Sequence, residues 1–235
     1  MRRPLLACFA LFIVSCAGPR TVHVYDPAKG HARFEILGML EAYMGRPLGK
    51  GDFIENFGPA RADHFEKLLG EFCDEEGLPQ HWRRKKHRRG YYTFTGQEIA
   101  QSINRSFEPF KAGYYTEPPG PYGGLSLAVF RSATQADLLR FVLGCQSRYC
   151  SKPDRALFNG ANAGDTFIML ADALKRLGCT NIRLYLSQDL IPTSTILIFT
   201  SSKKVQDRTG IRHEVTYSEM KKLRPKTKLM RFPLH

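Results

Sequence analysis

A mixed α+β fold (α/β in the broad sense) is predicted for this chain by three features. Apolar residues recur at three- and four-residue steps through residues 32–107, the mark of helices with one buried face. A stretch at 113–124 with three prolines and four glycines then breaks the pattern. Beyond it, β-branched and alternating apolar runs take turns with helical ones. The expected architecture is a helical N-terminal half and a small mixed sheet with flanking helices in the C-terminal half. Of the 235 residues, 43% are hydrophobic and 11% aromatic, which suits a packed core.

Taken in order, residues 1–15 read as a leader and 16–30 as a tether, punctuated by Pro19, Pro27 and Gly30. The helical region spans 31–112. A first helix fits 32–44 through Phe34, Leu37, Leu40 and Met44, and a second fits 60–76, where Phe65, Leu68, Leu69 and Phe72 form a stripe stopped by Gly77. A third begins with Thr95 as cap and Glu98 completing a capping box, with Ile99, Ile103 and Phe107 on one face. The α/β region spans 125–224 and packs on the helical one. Leu125–Phe130 reads as a strand, Thr134 caps a helix carrying Leu138, Leu139, Val142 and Leu143, and Ala156–Phe158 reads as a short strand. Asp165 caps the next helix, Ile182, Leu184 and Leu186 alternate as a strand, and Thr195–Thr200 is a further strand. Ile211–Tyr217 fits an edge strand, Ser218 caps a short helix through Leu223, and 225–235 is a loose basic tail. No repeat at a fixed period is visible.

The leader has a chemistry of its own. Arg2 and Arg3 precede an uncharged apolar run from Leu5 to Val14, too short to span a bilayer, and Ile13-Val14-Ser15-Cys16 closes it. Residues 1–16 resemble a bacterial lipoprotein signal peptide ending in a lipobox. The resemblance implies cleavage before Cys16, palmitate-type acylation of that residue, and a cell-envelope lipoprotein tethered to a membrane; Ala17 after the cysteine implies the outer membrane if the cell has two. Plain secretion by cleavage after Ala17, or a buried helix of a cytosolic domain, stays open.

Charge is the second strong signal, at +13 overall. Residues 83–89 (Arg83, Arg84, Lys85, Lys86, His87, Arg88, Arg89) hold six cations and no acid, and 203–235 hold ten cations against three acids. Like charges at that density repel, which predicts a loop or exposed edge for 83–89. Trp82 and Tyr91 flank the run and offer rings for stacking. Such a basic protein attracts polyanions. For an exported chain these are phospholipid, lipopolysaccharide or wall polymer; for a cytosolic or nuclear one, nucleic acid.

The remaining motifs carry less. Cys73, Cys145, Cys150 and Cys179 permit two disulfides in an oxidising compartment, with Cys145–Cys150 near enough for a local bridge if the helix ends at Gly144. No C-x-x-C or H-E-x-x-H occurs, so no metal or cofactor site is expected. Asn159–Asp165 lacks the phosphate-loop ending and reads as a turn with a helix cap. Ser126 is set aside as a nucleophile because it opens an expected strand. The expected function is a membrane-anchored envelope lipoprotein holding an anionic partner through Arg83, Arg84, Lys85, Lys86, Arg88 and Arg89. Two alternatives are an envelope hydrolase acting on peptidoglycan or a phosphoester, with catalytic residues unidentified, and a cytosolic or nuclear nucleic-acid-binding protein.

Overall fold

The computed structural model describes residues 30–40, 46–49, 51–110, 122–161, 164–187, 194–223 and 229–232. The leader, Cys16 and the tether up to residue 29 lie outside them. Helix α1 (Ala32–Met39) is buried almost all round, with Phe34, Ile36, Leu37 and Met39 in the core. Strands β1 (Arg46–Pro47) and β2 (Phe53–Phe57) follow. Helix α2 (Pro59–Glu76) opens on a proline, whose missing N–H has no helical partner to lose, and stops at Gly77 in the left-handed region. Its stripe of Phe65, Leu68, Leu69 and Phe72 is buried, as the spacing predicts.

Strands β3 (Arg83–Lys86) and β4 (Tyr92–Thr95) form a hairpin, and α3 (Gln97–Asn104) comes next. Thr95 ends β4 and Gly96 caps α3, so the expected capping box does not form. The first half is therefore not purely helical. It contains an antiparallel sheet in the order β2-β4-β3, packed on α2 through Phe57, Phe65 and Phe94, whose ring centroids lie 4.3–6.3 Å apart. Each such fully buried phenylalanine stabilises the fold by about 2–3 kcal/mol.

Strands β5 (Phe107–Phe110) and β6 (Tyr122–Leu125) pair, with β1 on the far side of β6. The run expected as one strand over Leu125–Phe130 divides at Ser126. Leu125 ends β6, while Leu127–Arg131 forms the short helix α4, capped by the Ser126 hydroxyl. That hydroxyl accepts from the Ala128 N–H and donates to Glu108, so it is committed to local structure.

Helix α5 (Gln135–Tyr149) starts with a full Thr134/Asp137 capping box and runs five residues past Gly144. This overturns the Cys145–Cys150 disulfide. Five residues of helix separate the two Cα atoms by about 7.5 Å along the axis, beyond disulfide reach. Cys73, Cys145, Cys150 and Cys179 are all free.

Strand β7 (Leu157–Ala161), helix α6 (Gly164–Arg176), strands β8 (Thr180–Ser187) and β9 (Ser194–Thr200) and helix α7 (Lys203–Thr209) complete the second half. Helix α8 (Tyr217–Leu223) and strand β10 (Leu229–Phe232) follow. The second sheet is antiparallel in the order β10-β8-β9-β7. Ile211–Tyr217 is not the expected edge strand, making only an isolated bridge from His213 to Arg155. The edge is β10, inside the segment expected as a loose tail. Thr216, not Ser218, caps α8, through reciprocal bonds with Glu219.

A repeat that no sequence period reveals emerges from the pairing. The order α1-β2-α2-β3-β4-α3 recurs as α5-β7-α6-β8-β9-α7, and β2-β4-β3 pair as β7-β9-β8 do. The leading helices of the two units, α1 and α5, pack against each other at Gly38 and Gly144. At their far ends the Tyr149 hydroxyl donates to the Leu40 carbonyl at 3.1 Å.

Candidate functional site

Alternation along β3 sorts the basic run into two groups. Arg84 pairs in register with Phe94, whose ring is buried against α2, so Arg84 and Lys86 share the helix side of the sheet. There Arg84 makes ion pairs with Asp63 at 2.7 Å and Glu66 at 2.6 Å, and its guanidinium lies 4.1 Å from the Tyr92 ring centroid. Lys86 lies 6.0 Å from the same ring. Trp82 also turns to this side, where its indole N–H donates to Glu66.

The opposite face carries Arg83 and Lys85, both exposed, beside Thr93 and Thr95 of β4 and Asn56 of β2. A polar chain runs across it. Thr93 Oγ1 lies 2.7 Å from His87 Nε2 and donates to Asn56 Oδ1 at 2.6 Å. At the hairpin tip, Gly90 takes φ of 79°, which lets its N–H reach the His87 carbonyl at 2.9 Å. Arg88 and Arg89 are exposed on that turn, and Tyr91 stacks on His87 with centroids 4.3 Å apart. A cleft of about 510 Å³, lined among others by Arg83, Thr95, Trp82 and Gln97, borders the face.

The structure thus brings four of the six cations (Arg83, Lys85, Arg88 and Arg89) to one open face and hairpin tip. Arg84, Lys86 and Trp82 lie on the other side. Asn56, Thr93 and His87 do not stand out in the sequence as site residues. The signal that could have found them is the Thr-x-Thr alternation around Phe94, which marks a half-buried strand.

A second cleft, about 370 Å³, lies at the C-terminal end of α5. Arg61, Arg148, Ser151 and Asn159 line it with Ile196 and Met220. Burial and the neighbouring Arg148 guanidinium lower the Arg61 pKa. Arg148 donates to the Asn56 carbonyl, tying α5 to the first sheet.

No protein-family model and no curated protein matches this chain. Solved structures do. One is a variant of I-DmoI with its target DNA and Mg, 13% identical, covering 80% of this chain and 100% of that one at a TM-score of 0.53. Another is I-DmoI with DNA and Mn, 10% identical, covering 78% and 97% at 0.53. A third is I-DmoI with DNA and Ca, 11% identical, covering 77% and 88% at 0.52. I-DmoI is a homing endonuclease. At these identities the likeness is one of fold.

The fold resembles a DNA-bound protein, the expected disulfide is absent, and among the described residues no helix is long and apolar enough to cross a membrane. The disulfide expectation is thereby corrected, while the leader and Cys16, which carry the lipoprotein expectation, lie outside the described residues. Divalent cations accompany DNA in these similar structures. Among the described residues no three His, Cys, Asp or Glu side chains converge to hold such an ion, and the cleft at the end of α5 is lined by guanidinium groups.

Proposed function

We propose that this chain binds duplex nucleic acid, DNA in the first instance, through the open face of the β2-β4-β3 sheet and its hairpin tip. The observation that carries the reading is the sorting of the basic run. Arg83 and Lys85 project from the face not packed on α2, Arg88 and Arg89 extend it, and Asn56, Thr93 and His87 supply hydrogen-bonding groups between them. Cations of this kind hold phosphates and set affinity, while neutral donors and acceptors on a two- or three-stranded ribbon contact base edges in a groove. The likeness to DNA-bound structures supports the same ligand.

The test is titration of a mixed-sequence 24-base-pair duplex across salt concentrations. With Arg83, Lys85, Arg88 and Arg89 all changed to Gln, the slope of log K against log salt should fall by roughly 3–4, at about 0.9 for each phosphate no longer neutralised. An unchanged slope in a folded variant overturns the reading.

A further inference from the structure

The repeat allows the two sheets to be laid on each other, strand for strand. Phe94 of β4 and Leu197 of β9 are the core-facing residues at the centre of each. On the opposite face, Thr93 then corresponds to Ile196, Thr95 to Ile198, Asn56 to Asn159, Lys85 to Tyr185 and Arg83 to Arg183. The polar face of the first sheet has become apolar in the second.

What sits on that apolar face is the chain's own C-terminal segment. Val215 and Met220 pack on Tyr185, Ile196 and Ile198 as a second hydrophobic cluster, all five no more than 5% exposed, with Leu157 and Leu229 at its margin. The Tyr217 ring lies 5.4 Å from that of Tyr185. The paired asparagines record the change. Asn56 Oδ1 accepts from Thr93, whereas Asn159 Oδ1, facing Ile196, is buried without a hydrogen-bond partner. Strand β10 then extends the sheet beside β8. The exposed charges left on that side are Arg183 and Arg231, at its margin; its centre is apolar and covered.

We infer that Val215–Leu223, with strand β10 beside it, occupies on the second sheet the place that nucleic acid takes on the first, so that the chain grips a duplex through one sheet only. This deepens the reading above and rests on it. Strands of four or five residues span about 15 Å. The footprint is therefore about four or five base pairs long, at 3.4 Å per pair along a strand, half of what two open sheets would cover.

The experiment uses the full chain and the same duplex carrying 4-thiothymidine at spaced positions, with cross-linked peptides mapped by mass spectrometry. Cross-links are expected within 83–95 and not within 157–161, 180–187 or 194–200. Arg183→Gln and Arg231→Gln, both at exposed sites, should each leave affinity within twofold, against a loss of tenfold or more for Arg83→Gln with Lys85→Gln. Hydrogen exchange of α8 should be equally slow with and without duplex. Cross-links on both sheets, or α8 exchanging faster when the duplex is bound, overturn the one-sheet inference while leaving the binding reading intact. An absence of any duplex binding overturns both.

Discussion

A Cβ added to Gly144 would sit 2.1 Å from the Glu35 carbonyl oxygen and 3.0 Å from the Gly38 Cα. The reciprocal approach is as close: a Cβ on Gly38 would meet the Phe141 carbonyl oxygen at 2.4 Å. These atoms are backbone, so no rotamer change relieves the clash. The helices that join the two repeat units touch main chain to main chain. Gly144→Ala and Gly38→Ala should each destabilise the protein by about 3 kcal/mol, the upper end for overpacking. Because either methyl group pushes the same helices apart, the double variant should cost less than the sum. Urea unfolding midpoints with unchanged slopes check both statements.

Beside that seam, Arg140 is buried between charges. Its guanidinium reaches Glu35 at 3.1 Å, both Glu71 oxygens at 2.8 and 3.0 Å, and the Gly30 carbonyl at 3.1 Å. Glu35 is itself 8% exposed, so it depends on this partner and on His64. Arg140→Met should cost about 3–5 kcal/mol by leaving a buried carboxylate without its guanidinium. Adding Glu35→Met should recover part of that loss, which a double-mutant cycle reads directly.

The Asp137 side chain links the start of α5 to residue 31. Burial alone would raise its pKa, but bonds from the His31 N–H and from the Thr134 hydroxyl and N–H outweigh that and hold it below the usual carboxylate value. A carboxylate depressed in the fold contributes stability above its unfolded pKa of about 3.9, and that contribution is lost as pH falls through the folded value. Asp137→Asn should therefore cost about 1–2 kcal/mol near pH 7, in the range for a lost helix cap. The gap between variant and parent should narrow as pH falls from 4 through that lowered folded value. Thermal melts at pH 7, 4 and 2.5 test the sign.

The four described thiols are predicted to be inert in the folded state. Burial pushes Cys73 and Cys150 up to about 12 and raises Cys145 and Cys179 as well. At pH 8 a thiol of pKa 12 is ionised to roughly one part in ten thousand, and only the thiolate reacts. Ellman's reagent should label these residues on unfolding and barely before it, and a reductant should leave the melting temperature unchanged.

Which parts of this structure are legible in the sequence follows from where the forces are local. Helix α2 is, since a proline start, an apolar stripe and a glycine stop lie within one segment. Strands β8 and β9 are, from their branched and alternating residues. Strand β3 is not, because four cations in a row have no apolar period. They become a strand only when β4 pairs with them and when Asp63 and Glu66, some twenty residues earlier, take up Arg84. The repeat stays hidden for a similar reason. Thr93 and Thr95 face open space while Ile196 and Ile198 face Met220, so equivalent positions carry opposite chemistry. The site itself is half visible: its cations stand out, but Asn56 and His87 acquire their places only through Thr93.

Arg84 gives the sharpest test of how the basic run divides. By sequence it is one of six equivalent cations. By structure it is held by Asp63 and Glu66 on the α2 side, with Tyr92 beneath it, while Arg83 and Lys85 on either side point the other way. A cation already committed to two carboxylates releases no counterions from a duplex, so it adds nothing to the salt dependence of binding. Arg84→Gln should therefore leave the slope of log K against log salt within about 0.3 of the parent value, whereas Arg83→Gln or Lys85→Gln should each lower it by about 0.9. The cost of Arg84→Gln should show instead in unfolding, as a small drop in midpoint, since Asp63 and Glu66 lose their shared partner. Equal reductions in slope at positions 83, 84 and 85 would mean that all three side chains reach phosphates and that the hairpin turns over when it binds.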